Sequence, residues 1–233
     1  ALVRELFPVK SWIALAAAGV HAFTPMVVFI NASVNNDNLI VPLCTLALLY
    51  MVRLIKGNVE GKCPRILAHL ALGVVLGMGL LTKASAIGLL PLVGATVFWE
   101  AWRLPKTHTF FQRATFFVTH IVLVCLAAFL ISGWWYSRNY RLYGDWLGLN
   151  AFYAVLGVRD VAANFSQLWA ERFAFAAGYW GNFGGLNVPM PSWIYKGLNG
   201  IALLAIAGMG VRFVKWLLAP RPLGLPRSGD PRR

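Results

Sequence analysis

Long runs of apolar residues, separated by shorter polar segments, dominate the pattern along the chain. A helix needs about 20 residues to cross about 30 Å of hydrocarbon, and these runs approach or reach that length. None of them shows the alternation of a membrane β-barrel strand, so membrane-spanning helices are predicted. The six predicted spans are Ser11–Ile30, Asp37–Ile55, Ile66–Leu81, Ala86–Trp102, Ala114–Gly133 and Gly197–Leu217.

The spans divide the chain into three parts and predict an all-α, polytopic membrane protein with about six transmembrane helices. Residues 1–133 hold the first five spans behind a short interfacial helix, and residues 197–233 hold the last span and a basic tail. Residues 134–196 form a large outer segment between spans five and six, rich in aromatic residues and glycine. Within it, apolar residues at three- and four-residue spacing predict a surface-lying helix over Val161–Ala177.

Composition supports a membrane protein, and the three cysteines give no sign of a disulfide framework or a metal site. Apolar residues make up 59% of the chain and charged residues 12%, against about half and a quarter in soluble domains. Cys44 and Cys125 fall within predicted spans, and Cys63 falls in a predicted cytoplasmic loop. Their placement predicts neither a disulfide nor a metal site.

The basic residues predict the orientation of the chain. All but six of the 21 Lys and Arg residues lie in segments that fall on one side of the membrane. By the positive-inside rule, that side and both termini are cytoplasmic, and we expect a bacterial inner membrane. The excess of basic residues along the cytoplasmic edge of the membrane accounts for the net charge of +13, so no nucleic-acid partner is predicted. The six outer exceptions are Lys83, Arg138, Arg141, Arg159, Arg172 and Lys196.

The first outer loop, Asn31–Asn38, is unusually rich in Asn and Asp. One interpretation is that these side chains cap the second span by accepting from its free amides. The other is that an acidic group at the mouth of the bundle binds a divalent cation, a sugar hydroxyl or a proton. Asp37 is the best candidate for a catalytic residue, and Asn35 and Asn36 are candidate substrate-binding residues.

The second outer connection, Leu80–Ala86, is a tight turn whose single charge is Lys83. The lysine can snorkel into the lipid headgroups. Alternatively, it can bind a phosphate together with Thr82, Ser85 and the amino end of the following helix.

The third outer feature is Gly133–Asp145, which follows the fifth span. Arg138 and Arg141 lie three positions apart, so they share a face if the helix continues. Two guanidinium groups there suit a lipid phosphate or pyrophosphate, or anchor the helix to ordinary headgroups. Asp145 is either a turn residue or an ion-pair partner for one of these arginines, and with Lys83, Arg138 and Arg141 it is a candidate substrate-binding residue.

Few polar residues occur inside the spans. His21, His69 and His120 are treated as isolated, each donating to a helix carbonyl. Pro25 and Pro91 are predicted to kink their helices. Gly73, Gly77 and Gly208 are predicted to mark close contacts between helices.

The outer features together resemble one family. The stretches S-V-N-N-D at Ser33–Asp37, L-L-T-K at Leu80–Lys83 and G-W-W-Y-x-R-N-x-x-x-Y-G-D at Gly133–Asp145 resemble the glycosyltransferase-C superfamily. The nearest branch is similar to the protein O-mannosyltransferases and lipid A aminoarabinose transferases. Trp180–Pro189 is also similar to the aromatic and glycine-rich stretch that precedes the last helices of such proteins.

The resemblance implies an enzyme that transfers a sugar from a polyprenyl-phosphate donor on the extracytoplasmic face. It implies that the donor phosphate meets Lys83, Arg138 and Arg141, and that Asp37 with its Asn neighbours faces the sugar or a metal. The implied partners are the polyprenyl-phosphate sugar, membrane lipid and other membrane subunits.

The resemblance also implies an acidic catalytic residue in the first outer loop of the family, upstream of the region matched here. No equivalent acidic motif occurs before Ser11. We therefore expect either that upstream sequence is missing from this chain or that the chain is a shortened relative without the catalytic base. A second hypothesis is therefore a non-catalytic subunit that kept the lipid-binding groove and scaffolds a larger membrane complex.

Overall fold

The computed structural model describes residues 1–57, 65–157 and 161–218. In this part of the chain the structure is helical apart from one two-stranded hairpin, which confirms the predicted all-α class. The chain forms two compact units, Ala1–Phe165 and Ser166–Arg233. Cys44 and Cys125 carry free thiols, and Cys63 lies outside the described residues.

The helices follow the predicted runs closely. Five helical stretches are long and apolar enough to cross a membrane, and a sixth is obtained when the bent pair α2 and α3 counts as one span. In order, the elements are α1 (Leu2–Leu6), α2 (Ser11–Ala22), α3 (Pro25–Asn31), α4 (Asp37–Lys56), α5 (Arg65–Thr82), a 3₁₀ segment (Ala84–Leu89), α6 (Leu90–Trp102), α7 (Phe110–Tyr143), α8 (Leu149–Leu156), α9 (Phe165–Ala170), α10 (Arg172–Trp180), β1 (Asn182–Phe183), β2 (Val188–Pro189) and α11 (Ser192–Leu218).

The first predicted span is broken rather than merely kinked. Helix α2 ends at Ala22, and Pro25 starts α3 at an angle of 65° to it. Proline is tolerated at the first position of a helix because the amide it lacks would have no partner there. The Thr24 hydroxyl donates to the carbonyl of Val20 and takes up one acceptor at the end of α2.

The predicted surface helix over Val161–Ala177 is also two helices. Helix α9 begins at Phe165, a break follows at Glu171, and α10 runs on to Trp180. The single-helix prediction was therefore wrong. Apolar residues recur at helical spacing on both sides of the break, so periodicity alone does not detect it.

The core of the first unit lies between α4, α5, α6 and α7. Leu72 and Leu76 of α5 are fully buried against Val97 of α6 and Val124 of α7. The closest approach is between α5 and α7. A Cβ added at Gly73 would lie 2.5 Å from the carbonyl oxygen of Val124.

Gly77 makes a second close approach on the same face of α5. A Cβ built there would lie 2.8 Å from the carbonyl oxygen of Ala128. Both distances are below any real carbon–oxygen contact, so the two helices pack backbone to backbone. This confirms the predicted role of Gly73 and Gly77 as close helix contacts. The same prediction for Gly208 is not confirmed, because a Cβ added there meets no atom of the described residues within 4 Å.

Replacing Gly73 by alanine is expected to destabilise the bundle by about 1–3 kcal/mol, because the added methyl group must push α5 and α7 apart. Thermal unfolding of the purified protein in detergent measures the effect as a lower Tm. Gly94→Ala in α6 is the matched control, since a Cβ at that helical position meets no atom within 4 Å. Equal Tm values for the two variants would contradict the packing argument.

One end of the first unit gathers basic residues that the sequence places in the cytoplasm. Arg53 Nε lies 3.2 Å from Glu5 Oε2, which ties α1 to α4. Arg113 donates to the carbonyls of Ala101 and Leu104 and so caps the end of α6. The grouping agrees with the predicted topology, while the side of the membrane on which this end lies stays a prediction.

Candidate functional site

The other end of the first unit brings two of the predicted outer connections together. Lys83 Nζ lies 2.5 Å from Asp37 Oδ1, across 46 positions of sequence. Asn36 Nδ2 donates to the carbonyl oxygen of Thr82 over 3.2 Å. We call Asn35, Asn36, Asp37, Thr82 and Lys83 the outer cluster.

The start of α4 explains how the loop is held. Asn35 Oδ1 accepts from the amide of Asp37 over 3.0 Å, which satisfies one of the free amides of the helix. Asn36 stands at the capping position, but its side chain turns to the Leu80–Ala86 turn instead. Asp37 lies in the first turn of α4, where the helix dipole stabilises a carboxylate. The capping interpretation therefore applies to Asn35.

Asn38 adds a polar acceptor beside the outer cluster. Its Nδ2 donates to the carbonyl of Ser33 over 2.7 Å. Its Oδ1 is buried and has no hydrogen-bond partner among the described residues. Buried acceptors are nearly always satisfied, so this oxygen is an exception among the described residues.

Lys83 and Asp37 compensate each other electrostatically. Their side chains are only partly buried, with exposed fractions of 40% and 31%. An ammonium group has three N–H donors, so the bond to Asp37 leaves two that can bind another anion. One oxygen of the Asp37 carboxylate is thus engaged by an ammonium group. The described residues hold no group of three His, Cys, Asp or Glu placed to bind a metal.

Helix α7 is longer than a membrane span and carries the two predicted arginines near its end. Its 34 residues correspond to about 51 Å, whereas the hydrocarbon core is about 30 Å thick. The predicted fifth span therefore continues as helix through Tyr143. Arg138 and Arg141 line one groove of about 360 Å³, which confirms that they share a face.

The arginine groove and the outer cluster lie on different sides of α7. The Tyr136 hydroxyl donates to the carbonyl of Leu80 over 2.9 Å and fixes α7 beside the Leu80–Ala86 turn. Arg138 is two residues further on, which places it about 160° around the helix from Tyr136. Its guanidinium group lies 5.1 Å from the ring centre of Trp135. In the described part of the chain, no contact joins Lys83 to Arg138 or Arg141.

Asp145 takes the turn role among its two predicted alternatives. Its carboxylate accepts from the amides of Leu147 over 3.1 Å, Leu149 over 2.5 Å and Asn150 over 3.3 Å. The bond from the Leu147 amide, followed by those from Leu149 and Asn150, holds the pKa of Asp145 below its usual value. Asp145 thus organises the turn between α7 and α8.

An apolar groove of about 400 Å³ lies beside the outer cluster. Leu80 and Ile87, which flank the Lys83 turn, form one wall of it. Phe129 and Tyr136 of α7 form another, and Trp146 from the Asp145 turn lies at its rim. Almost all of its surface is carbon, so it suits a hydrocarbon chain.

The sequence interpretation missed a buried polar cluster inside the helices. His69 Nε2 lies 2.9 Å from Glu100 Oε2, and the rings of His69 and His120 are 4.5 Å apart. Arg65 Nε lies 3.8 Å from the other Glu100 oxygen. The prediction that His69 and His120 are isolated was therefore wrong. Glu100, an acidic residue inside a predicted span, was the signal that should have suggested partners.

The second unit holds the Trp180–Pro189 stretch as a local scaffold. Strands β1 and β2 pair across it. Trp180 Nε1 donates to Asn199 Oδ1 of α11 over 2.8 Å. The Tyr195 hydroxyl donates to the carbonyl of Gly181 over 2.6 Å and accepts from the amide of Met190. These bonds tie the hairpin to the start of α11.

The apolar helices define an integral membrane protein with a polar cluster at one end. Residues 1–136 of the 233 match the family model described as dolichyl-phosphate-mannose-protein mannosyltransferase. The chain belongs to this family, and it is a membrane glycosyltransferase of the glycosyltransferase-C type. No curated protein and no solved structure matches it.

Proposed function

We propose that the chain binds a polyprenyl-phosphate sugar at the outer cluster and supports transfer of the sugar on the extracytoplasmic face. The observation that carries the proposal is the Asp37–Lys83 pair, 2.5 Å apart, in which Lys83 belongs to a turn whose flanking residues Leu80 and Ile87 line an apolar groove. The name of the family specifies a dolichyl-phosphate-linked mannose as the donor. A donor of this class has three parts, and the site offers a partner for each.

The apolar groove suits the first part of the donor, its hydrocarbon tail. It opens between α7 and the 3₁₀ segment, and both walls carry exposed apolar side chains, such as Ile87 and Phe129. Leu80 lines the groove and lies one helical turn before Lys83. A tail in the groove would therefore end with its phosphate beside the ammonium group.

Lys83 suits the second part, the phosphate. Two of its N–H donors remain after the bond to Asp37, and a charge-assisted bond to a phosphate oxygen is stronger than a neutral one. The Lys83 backbone is held between α5 and the 3₁₀ segment by its bonds to Gly79 and Ala86. The ammonium group is thus presented from a short turn anchored at both ends.

Asp37 and its neighbours suit the third part, the sugar and its acceptor. In the proposed step, the acceptor oxygen bonds to the anomeric carbon while the bond from that carbon to the phosphate oxygen breaks. The polyprenyl phosphate leaves with the bonding electrons, and Asp37 takes the proton of the acceptor hydroxyl. Asn36 lies beside Asp37 and is exposed, so it can orient a sugar hydroxyl.

The arginine groove on α7 is proposed as a second phosphate-binding position. Trp134 and Leu142 flank Arg138 and Arg141 in it, so apolar and cationic groups meet at one level of the helix. That combination fits a lipid phosphate at the membrane surface. Because this groove faces away from Tyr136, we assign it a smaller part in transfer than Lys83.

Lys83→Gln is expected to lower transfer from a polyprenyl-phosphate sugar by about 100-fold, as removal of one fixed donor from a developing anion commonly does. The measurement is sugar transfer in membranes that contain the full protein. Lys196→Gln is the matched control, because Lys196 is an exposed lysine predicted on the same side. The double variant Arg138→Gln with Arg141→Gln is expected to lose less activity than Lys83→Gln.

The outcomes separate the alternatives. An inactive arginine double variant beside an active Lys83→Gln would move the donor phosphate to the arginine groove. Unchanged activity in both would contradict the donor site altogether.

A further inference from the structure

A second polar pocket lies at the opposite end of the first unit, where α4 ends, α5 begins and α6 ends. Its volume is about 290 Å³, and polar atoms form most of its surface. Lys56 of α4, Arg65 of α5 and Arg103 after α6 supply three cations to its lining, and Glu100 supplies one carboxylate. The lining therefore carries two positive charges in excess.

Glu100 lines this pocket, and its carboxylate already contacts Arg65 and His69. Its side chain is 6% exposed, and Oε2 lies 2.9 Å from His69 Nε2 of the buried cluster. Its Oε1 lies 3.8 Å from Arg65 Nε. The carboxylate thus balances Arg65 and leaves the charges of the other two cations uncompensated within the lining.

Lys56 and Arg103 are held by neutral groups. Lys56 Nζ donates to the backbone carbonyl of Glu5. Arg103 Nη1 donates to the backbone carbonyl of Ile55 over 3.3 Å, and its guanidinium group lies 5.2 Å from the ring centre of Trp99. These contacts orient both cations without neutralising them, which is how a site for an external anion is built.

We propose that this pocket binds the phosphodiester headgroup of an anionic phospholipid. The pocket lies at the ends of three apolar helices long enough to cross a membrane, and basic pockets at such helix ends recognise anionic lipid headgroups. Trp99 and Trp102 on the same end of α6 are 44% and 67% exposed, as expected for aromatic residues at the membrane interface. The site lies at the other end of the bundle from the outer cluster and does not depend on the proposed donor site.

Native mass spectrometry of the full protein with phosphatidylglycerol or phosphatidylcholine tests the proposal. We expect a bound phosphatidylglycerol and a markedly weaker phosphatidylcholine adduct. Each removed cation should weaken phosphatidylglycerol binding about fivefold, so Lys56→Gln with Arg103→Gln should weaken it about 25-fold. Lys106→Gln removes an exposed cation outside the pocket and should change binding less than twofold.

The variant Lys56→Arg with Arg103→Lys keeps both charges and should bind phosphatidylglycerol as the wild type does. It controls for a loss of binding that is caused by misfolding. Equal phosphatidylglycerol binding by the Gln double variant and the Lys106→Gln control would overturn the proposal. So would equal loss in the charge-preserving variant. Inorganic phosphate is added as a competitor: if it displaces the adduct and neither lipid is preferred, the pocket is a free-phosphate site and the lipid assignment is wrong.

Discussion

Asp37→Asn is expected to lower the turnover of sugar transfer by about 10²- to 10⁴-fold, the usual contribution of a positioned general base. The amide keeps the shape of the side chain but cannot take the proton of the acceptor hydroxyl. Lys83 loses its ion-pair partner and remains available to the donor phosphate. KM for the donor should therefore change little while kcat falls, as measured in membranes with a saturating acceptor.

A double-mutant cycle checks whether Asp37 and Lys83 act as one unit. Residues in direct contact give non-additive effects, so Asp37→Ala combined with Lys83→Ala should cost less activity than the product of the two single losses. Asp37→Glu keeps a carboxylate and should retain more activity than Asp37→Asn. Wild-type turnover in Asp37→Asn would show that another group accepts the proton.

Glu100→Ala is expected to destabilise the protein by about 3–5 kcal/mol, because removing one partner of a buried pair leaves the other uncompensated. His69 is fully buried and would lose the acceptor that lies 2.9 Å from its Nε2. Arg65 would lose its carboxylate partner at the same time. Thermal unfolding in detergent should show a large decrease in Tm.

Glu100→Gln separates the charge from the hydrogen bond. The amide oxygen can still accept from His69, so this variant should lose less stability than Glu100→Ala. Its volume nearly matches that of Glu100, so a difference in Tm between Glu100→Gln and the wild type cannot be caused by a cavity. A Tm of Glu100→Ala equal to that of the wild type would contradict a stabilising role for the cluster.

The spans could be predicted from the sequence because lipid imposes a simple rule. A backbone in hydrocarbon must satisfy its own hydrogen bonds, so the length of an apolar run predicts a helix directly. Helices α4, α5, α7 and α11 follow the predicted runs. The breaks at Pro25 and Glu171 depend on local geometry that run length does not contain.

The candidate site could be predicted only in pieces. Asp37 and Lys83 each stand out as charges beside apolar helices, and the motifs around them resemble one family. Their pairing depends on the packing of α4 against α5, which brings together residues 46 positions apart. The same packing turns Asn36 to Thr82, a contact that no local pattern contains.

The sequence by itself determined the class of this protein, its membrane helices and the residues worth testing, because hydropathy and charge are properties of each segment alone. Only the tertiary structure decided which of those residues meet. It separated Lys83 from the arginine groove. Tyr136, which contacts the Leu80–Ala86 turn, and Arg138 lie two positions apart on α7, so their side chains face opposite sides of the helix. It also joined His69 to Glu100 across 31 positions, since the rotation of each helix about its axis is set by its neighbours.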